Sequence, residues 1–180
     1  MLITINFDDI YEPASLSDDF SQMSFNAPQF DGSDLELLVT ITQHHDEQLL
    51  GVYNLAFGPK EENGEPDDQI RLKHQNIDKV FSTIILNALS FLQLNPELKI
   101  GIDGSDDLRA RLYHGMFKSN REYLQESVLA IGVDWYVRIF RDYTYEQDEI
   151  GNFIARPRPE PFNYERENRD LYRYYMLRLK

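Results

Sequence analysis

The stretch that decides the fold is KIGIDGSDDLRARLYHGMF, Lys99 to Phe117. Leu98, Ile100 and Ile102 alternate, which places them on one side of a short strand. Gly104 breaks that strand, Ser105 is suited to cap a following helix, and Asp106 and Asp107 suit its positive end. The chain is therefore expected to turn from sheet into helix after Asp103, with Arg109 and Arg111 near the corner. That helix runs to about Phe117, where KSNRE interrupts it.

Upstream, Ile77, Val80, Phe81, Ile84, Ile85, Ala88, Leu89 and Leu92 recur at spacings of three and four, so they form one apolar face of a helix. Asn95-Pro96 ends it. Before that helix, LELLVTI and QLLGVYNLAF each alternate with a period of two around the turn QHHDE, as a β-hairpin does. MLITINF reads as a short strand, residues 8–34 as an acidic, partly irregular segment, and residues 58–72 as a polar loop excursion. Downstream, VLAIGVDWYVRIF gives two short strands or one bent strand around Gly132 to Asp134. Residues 141–168 form a second polar excursion, and DLYRYYMLRLK closes the chain as a strand. The order implies an α+β fold: a single mixed or antiparallel sheet of about five to seven strands with two main helices packed on it. A length of 180 residues fits a single domain over 1–180.

Charge is unevenly spread. The net charge is −13. Residues 1–70 hold fifteen acids against Lys60 alone, a net of −14, whereas residues 71–180 hold 17 bases against 16 acids, a net of +1. Such a chain repels polyanions, so nonspecific nucleic-acid binding and attachment to an anionic membrane are not expected. The acidic front is either a solvated surface or a face that docks a basic partner. The absence of cysteine excludes disulfides and thiolate metal sites. The longest apolar segment, Ile77 to Leu94, is interrupted by Asp78, Lys79, Asn87 and Gln93, and the start lacks the pattern of a signal peptide. A cytoplasmic protein is expected.

YNLAFG at Tyr53 to Gly58, NIDKV at Asn76 to Val80, GSDDLRARLY at Gly104 to Tyr113 and the aromatic-rich closing strand together resemble a family of small uncharacterised bacterial proteins common in Bacteroidetes. The resemblance covers roughly Leu35 to Phe140 and the last twenty residues. It implies a shared fold and brings no established activity.

Two chemistries are open at the corner. The amides led by Gly104 and Ser105, with Arg109, Arg111 and Tyr113 beside them, can hold a small anionic ligand. The stretch lacks the glycines and the Lys-Ser/Thr pair of a phosphate-binding loop, however, and Asp106 and Asp107 lie three and four residues before Arg109 and Arg111, spacings that pair on a helix. Arg109 and His114 also stand five apart, a spacing some helical ribonucleases use, with His114 as acid/base and Arg109 steadying the phosphate. At 3.6 residues per turn such positions are about 140° apart around the axis. His44, His45, Asp46 and Glu47 read as a polar hairpin tip because neighbouring strand residues point apart; no metal and no cofactor are expected. Arg169, Arg173 and Arg178 alternate with tyrosines in the last segment, as base-stacking surfaces and sheet faces both do.

The leading expectation is a noncatalytic protein-protein interaction component, set in a bacterial defence or toxin-antitoxin module, with a protein partner or a homodimer. The alternatives are a nucleotide- or RNA-binding sensor or ribonuclease using the Ser105–His114 helix start, and an acidic nucleic-acid mimic from phage or a mobile element.

Overall fold

The computed structural model describes residues 2–68, 70 and 72–180. The strand β5 (Lys99–Asp103) is followed by the helix α2 (Asp107–Ser119), so the corner forms where the alternation of Leu98, Ile100 and Ile102 gives way to helical spacing. The cap differs from expectation. Asp106, not Ser105, takes the N-cap position, and its carboxylate accepts from the amides of Leu108 at 2.8 Å and Arg109 at 2.9 Å.

Among the described residues the fold is a single sheet of eight strands with three helices, against the five to seven strands and two main helices expected. The strands are β1 (Pro13–Leu16), β2 (Gln22–Pro28), β3 (Asp34–Gln43), β4 (Val52–Pro59), β5, β6 (Val128–Val137), β7 (Ala155–Pro161) and β8 (Tyr174–Leu179), in the order β1-β2-β3-β4-β5-β8-β6-β7. The helices are α1 (Ile77–Leu94), α2 and the short α3 (Arg121–Gln125). β4 and β5 pair parallel, with α1 as the crossover between them; the other described pairs are antiparallel.

Three corrections have physical causes. The strand expected at the N-terminus is an extended strap: Ile3 and Ile5 are buried, but the amides of Thr4 and Asn6 bond to Asp78 (3.0 Å) and Ser82 (2.9 Å) on α1 and that of Ile5 to Asn120 (2.7 Å) just after α2, rather than to a sheet edge. Part of the irregular segment 8–34 is sheet, because Met23, Phe25 and Ala27 alternate into the core from β2 while Ser24 and Asn26 project from the opposite face. The excursion 141–168 contains β7, whose Pro157, Pro159 and Pro161 are tolerated because β7 is an edge strand. Proline has no N–H to donate, so this edge is blunted against pairing with further strands. VLAIGVDWYV is one continuous strand.

The helices cover one face only. Their buried side chains join Leu37, Val39, Leu55, Ile100, Tyr175 and Leu177 in the main core. By length and composition α1 is apolar enough to cross a bilayer, yet eleven of its residues, Val80, Phe81 and Ile84 among them, are buried within this fold. On the opposite face, Leu49, Val52, Val133, Tyr174 and Met176 form a separate small cluster that contains no helical residue. The centre of that face is open.

Candidate functional site

At the helix start, the groups that would meet an anion are already engaged. Asp103 receives both the backbone amide (2.8 Å) and the hydroxyl (3.1 Å) of Ser105, and Asp106 occupies the amides of the first turn. Gly104 donates its N–H to the Arg173 carbonyl at 3.0 Å. A Cβ on Gly104 would come within 2.8 Å of the Tyr175 ring, so the glycine here serves a close approach of strand and ring.

Arg109 forms the expected pair with Asp106 (3.3 Å), but it also donates to the Asp68 carbonyl and lies 3.8 Å from the Asp68 carboxylate. It thereby fastens the loop after β4 to α2. Asp107 pairs with Arg173 at 2.7 Å rather than with Arg111; Arg111 is exposed and forms no ion pair among the described residues. Tyr113 is buried against Phe81 and Tyr175 and, with Leu37, Phe57 and Arg109, lines a cavity of about 200 Å³. Burial pushes its hydroxyl pKa well above the ordinary tyrosine range. His114 lies elsewhere, packed on Phe162 with ring centroids 5.1 Å apart, and neither ring nitrogen has a hydrogen-bond partner among the described residues. Burial holds its pKa below the ordinary value. Arg109 and His114 are thus not brought to one place.

A second site, absent from the sequence reading, lies on the open face. Tyr174 of β8 lies over Gly101 of the neighbouring β5 and reaches Asn54 on β4, 3.2 Å from its hydroxyl. Gly101 has no side chain, so the Tyr174 ring lies close to the sheet, and it helps line a depression of about 730 Å³ with His44, His45, Asp46, Asn54, Asp103, Ser105, Trp135 and Arg173. The two histidines do not point apart as expected; their rings stack at 4.7 Å, and His44 meets the Tyr174 ring edge-on at 5.3 Å. The Asp46 amide donates to Nδ1 of His44 at 3.0 Å, so the neutral ring carries its proton on Nε2. Burial and the neighbouring His45 lower the His44 pKa, while burial, with the Asp103 charge adding to it, raises that of Tyr174. Arg173 is held by Asp107, whereas Asp46 and Asp103 have no ion-pair partner among the described residues.

Beyond β6 the chain forms an arm. Phe140 and Thr144 close one turn (2.8 Å), Asp148 and Asn152 close another (2.9 Å), and Glu146 bonds through its backbone to Arg138 (2.9 Å) and Ile154 (3.1 Å). Tyr143 and Gly151 supply the positive φ that the two turns need, 66° and 90°. A two-pronged pair between Arg156 and Glu146, at 3.1 and 2.9 Å, fixes the base. Ile139, Phe140, Tyr143, Tyr145, Ile150 and Phe153 are all exposed, Tyr143 by 87% and Ile150 by 84%.

No curated protein and no solved structure matches this chain. A family model does match; its span takes in both the acidic front and the arm and ends before β8. The chain belongs to a family of unknown function (DUF6934), matched over residues 8–156.

Proposed function

We propose that this protein is a noncatalytic interaction component that engages a protein partner through the 138–154 arm. The observation that carries this reading is the arm itself: six exposed apolar side chains on a segment whose shape is fixed by its own hydrogen bonds. A concentration of exposed apolar side chains on one segment is a mark of an interaction site, and aromatic residues dominate the energetics of such contacts. An arm ordered before binding loses little further conformational entropy on docking. The reading based on Ser105, Arg109, Arg111, Tyr113 and His114 draws less support, because Arg109 is occupied by Asp68 and Asp106 and His114 is buried under Phe162.

The test is the double variant Tyr143→Ser, Ile150→Ser, carried beside the wild type through cross-linking in native cells and light scattering of the purified chain. One partner, or a second copy, recovered stoichiometrically with the wild type and lost with the variant is the expected outcome. A wild-type chain that is monomeric and cross-links to nothing would overturn the reading, as would a partner that the variant retains.

A further inference from the structure

From the chemistry of the open face we infer that the depression between Trp135, Tyr174 and the His44–His45 pair seats an arginine side chain from a basic segment of the protein partner. The inference rests on the interaction reading above and names the chemistry of what is bound.

The walls are aromatic. The stacked His44 and His45 rings, the Tyr174 ring set edge-on to His44 and lying over Gly101, and Trp135, 39% exposed at the rim, surround the depression. Flat aromatic faces attract cations, and a planar guanidinium stacks on them better than an ammonium does.

The charge is negative. Asp46 and Asp103 both line the depression and neither meets a cation among the described residues. Arg173, the one cation in the lining among the described residues, is matched by Asp107 at 2.7 Å. His44 does not supply the missing charge, since its Nδ1 is taken up by the Asp46 amide and burial disfavours protonation. An anionic ligand would therefore be repelled. A guanidinium would find two carboxylates with open oxygen lone pairs and aromatic faces in one concavity. The surroundings reinforce this choice, because β1 to β4 and the His44–Gly51 loop belong to the part of the chain that carries a net charge of −14. Trp135 also sits on β6, the strand that leads into the arm three residues later.

Trp135 is the only tryptophan, so its emission reports on this site alone. The full chain is titrated with acetyl-tetra-arginine amide, tetra-glutamate amide and arginine amide at fixed ionic strength, with calorimetry for variants lacking the indole. Saturable binding of the tetra-arginine peptide is expected, weakened at least tenfold by Asp103→Asn, by Trp135→Leu and by Thr42→Arg. The last of these puts a competing charge at the rim without disturbing the Ser105 turn that Asp103 holds, so it decides the matter if Asp103→Asn fails to fold. The double variant Asp34→Asn, Glu36→Gln, at the end of β3 away from Thr42, is expected to bind as the wild type does. Equal weakening by that control would reduce the effect to net charge and overturn the inference, as would unchanged binding in Thr42→Arg or tetra-glutamate binding as well as tetra-arginine. Arginine amide binding as tightly as the peptide would overturn the protein-segment assignment. The arm variant Tyr143→Ser, Ile150→Ser keeps the depression intact, so its peptide titration stays wild-type even if its partner capture fails, and the two readings fall separately.

Discussion

Tyr174 lies over the bare Cα of Gly101, and a Cβ built on Gly101 would overlap the Tyr174 hydroxyl. Both the depression on the open face and the hydrogen bond to Asn54 depend on this arrangement. Gly101→Ala is expected to lift the ring and to destabilise the fold by about 1–3 kcal/mol, the usual cost of overpacking. Tyr174→Phe keeps the ring and loses only the bond to Asn54, about 1 kcal/mol. Urea unfolding of the two variants separates these effects: a Gly101→Ala variant as stable as wild type would show that the ring moves aside freely.

Arg109 is expected to act as a fastener rather than as a ligand-binding group. Through the Asp68 carbonyl and carboxylate it ties the loop after β4 to the first turn of α2. Arg109→Ala should leave global stability little changed but release that loop. Digestion with a glutamate-specific protease, which has Glu61, Glu62 and Glu65 to cut at, is expected to accelerate severalfold at those sites and nowhere else. Unchanged cleavage would remove the fastening role. Arg109→Lys should only partly restore protection, because an ammonium lacks the guanidinium fork that spans Asp68 and Asp106.

The sheet-to-helix corner, α1 and the β3–β4 hairpin were legible because each is written in a local period: alternation at Leu98, Ile100 and Ile102, helical spacing from Ile77 to Leu92, alternation again from Leu35 to Ile41. The N-terminal strap was not, because Ile3 and Ile5 alternate like a strand while the amides of Thr4, Ile5 and Asn6 are claimed by Asp78, Asn120 and Ser82, residues 74 to 115 positions away. In β7 prolines at every second position hide the strand, since only its edge location makes them acceptable. The depression was illegible for a related reason. Its members come from the His44 turn, β4, β5, β6 and β8, and they meet only because β8 inserts between β5 and β6. No local pattern carries that order.

A network on the helix-covered face should be the chain's most sensitive polar element. Arg166, its side chain only 10% exposed, bonds to Asp134 at 2.9 and 2.6 Å and to Glu160 at 2.8 Å, and lies 3.6 Å from the centre of the Tyr172 ring. It pins the segment before β8 to β6 and β7. Arg166→Met is expected to cost about 2 kcal/mol, below the 3–5 typical of a fully buried pair because Asp134 keeps some contact with water. The hydrogen bonds from Arg166 hold the Asp134 pKa below its ordinary value, so this stabilisation is present above about pH 4 and is lost as the pH falls through the lower folded value. An acid-unfolding profile that is the same for wild type and Arg166→Met would show that the network contributes nothing.

His114 adds a second pH dependence, at higher pH and with a different origin. Its ring is buried beside Phe162, neither nitrogen has a hydrogen-bond partner among the described residues, and burial first, then Lys118 and Arg166, disfavour its protonation; the Tyr164 main chain and the Glu165 carboxylate oppose them. The folded chain therefore keeps His114 neutral at pH values where the unfolded chain, titrating near about 6.5, takes up a proton. Above that pH both states are neutral and the group has no effect; as the pH falls below it the unfolded state binds the extra proton and stability declines. His44 and His74, whose pKa values burial also lowers, contribute with the same sign. Replacing His114 with Phe removes one of the three contributions and keeps an aromatic ring in the pocket beside Phe162. Urea unfolding from about pH 8 to about pH 5 should show a shallower decline for His114→Phe than for wild type, by at most one proton, or about 1.4 kcal/mol per pH unit. Parallel curves would mean that the ring finds a proton acceptor when charged, and that its burial imposes no penalty on protonation.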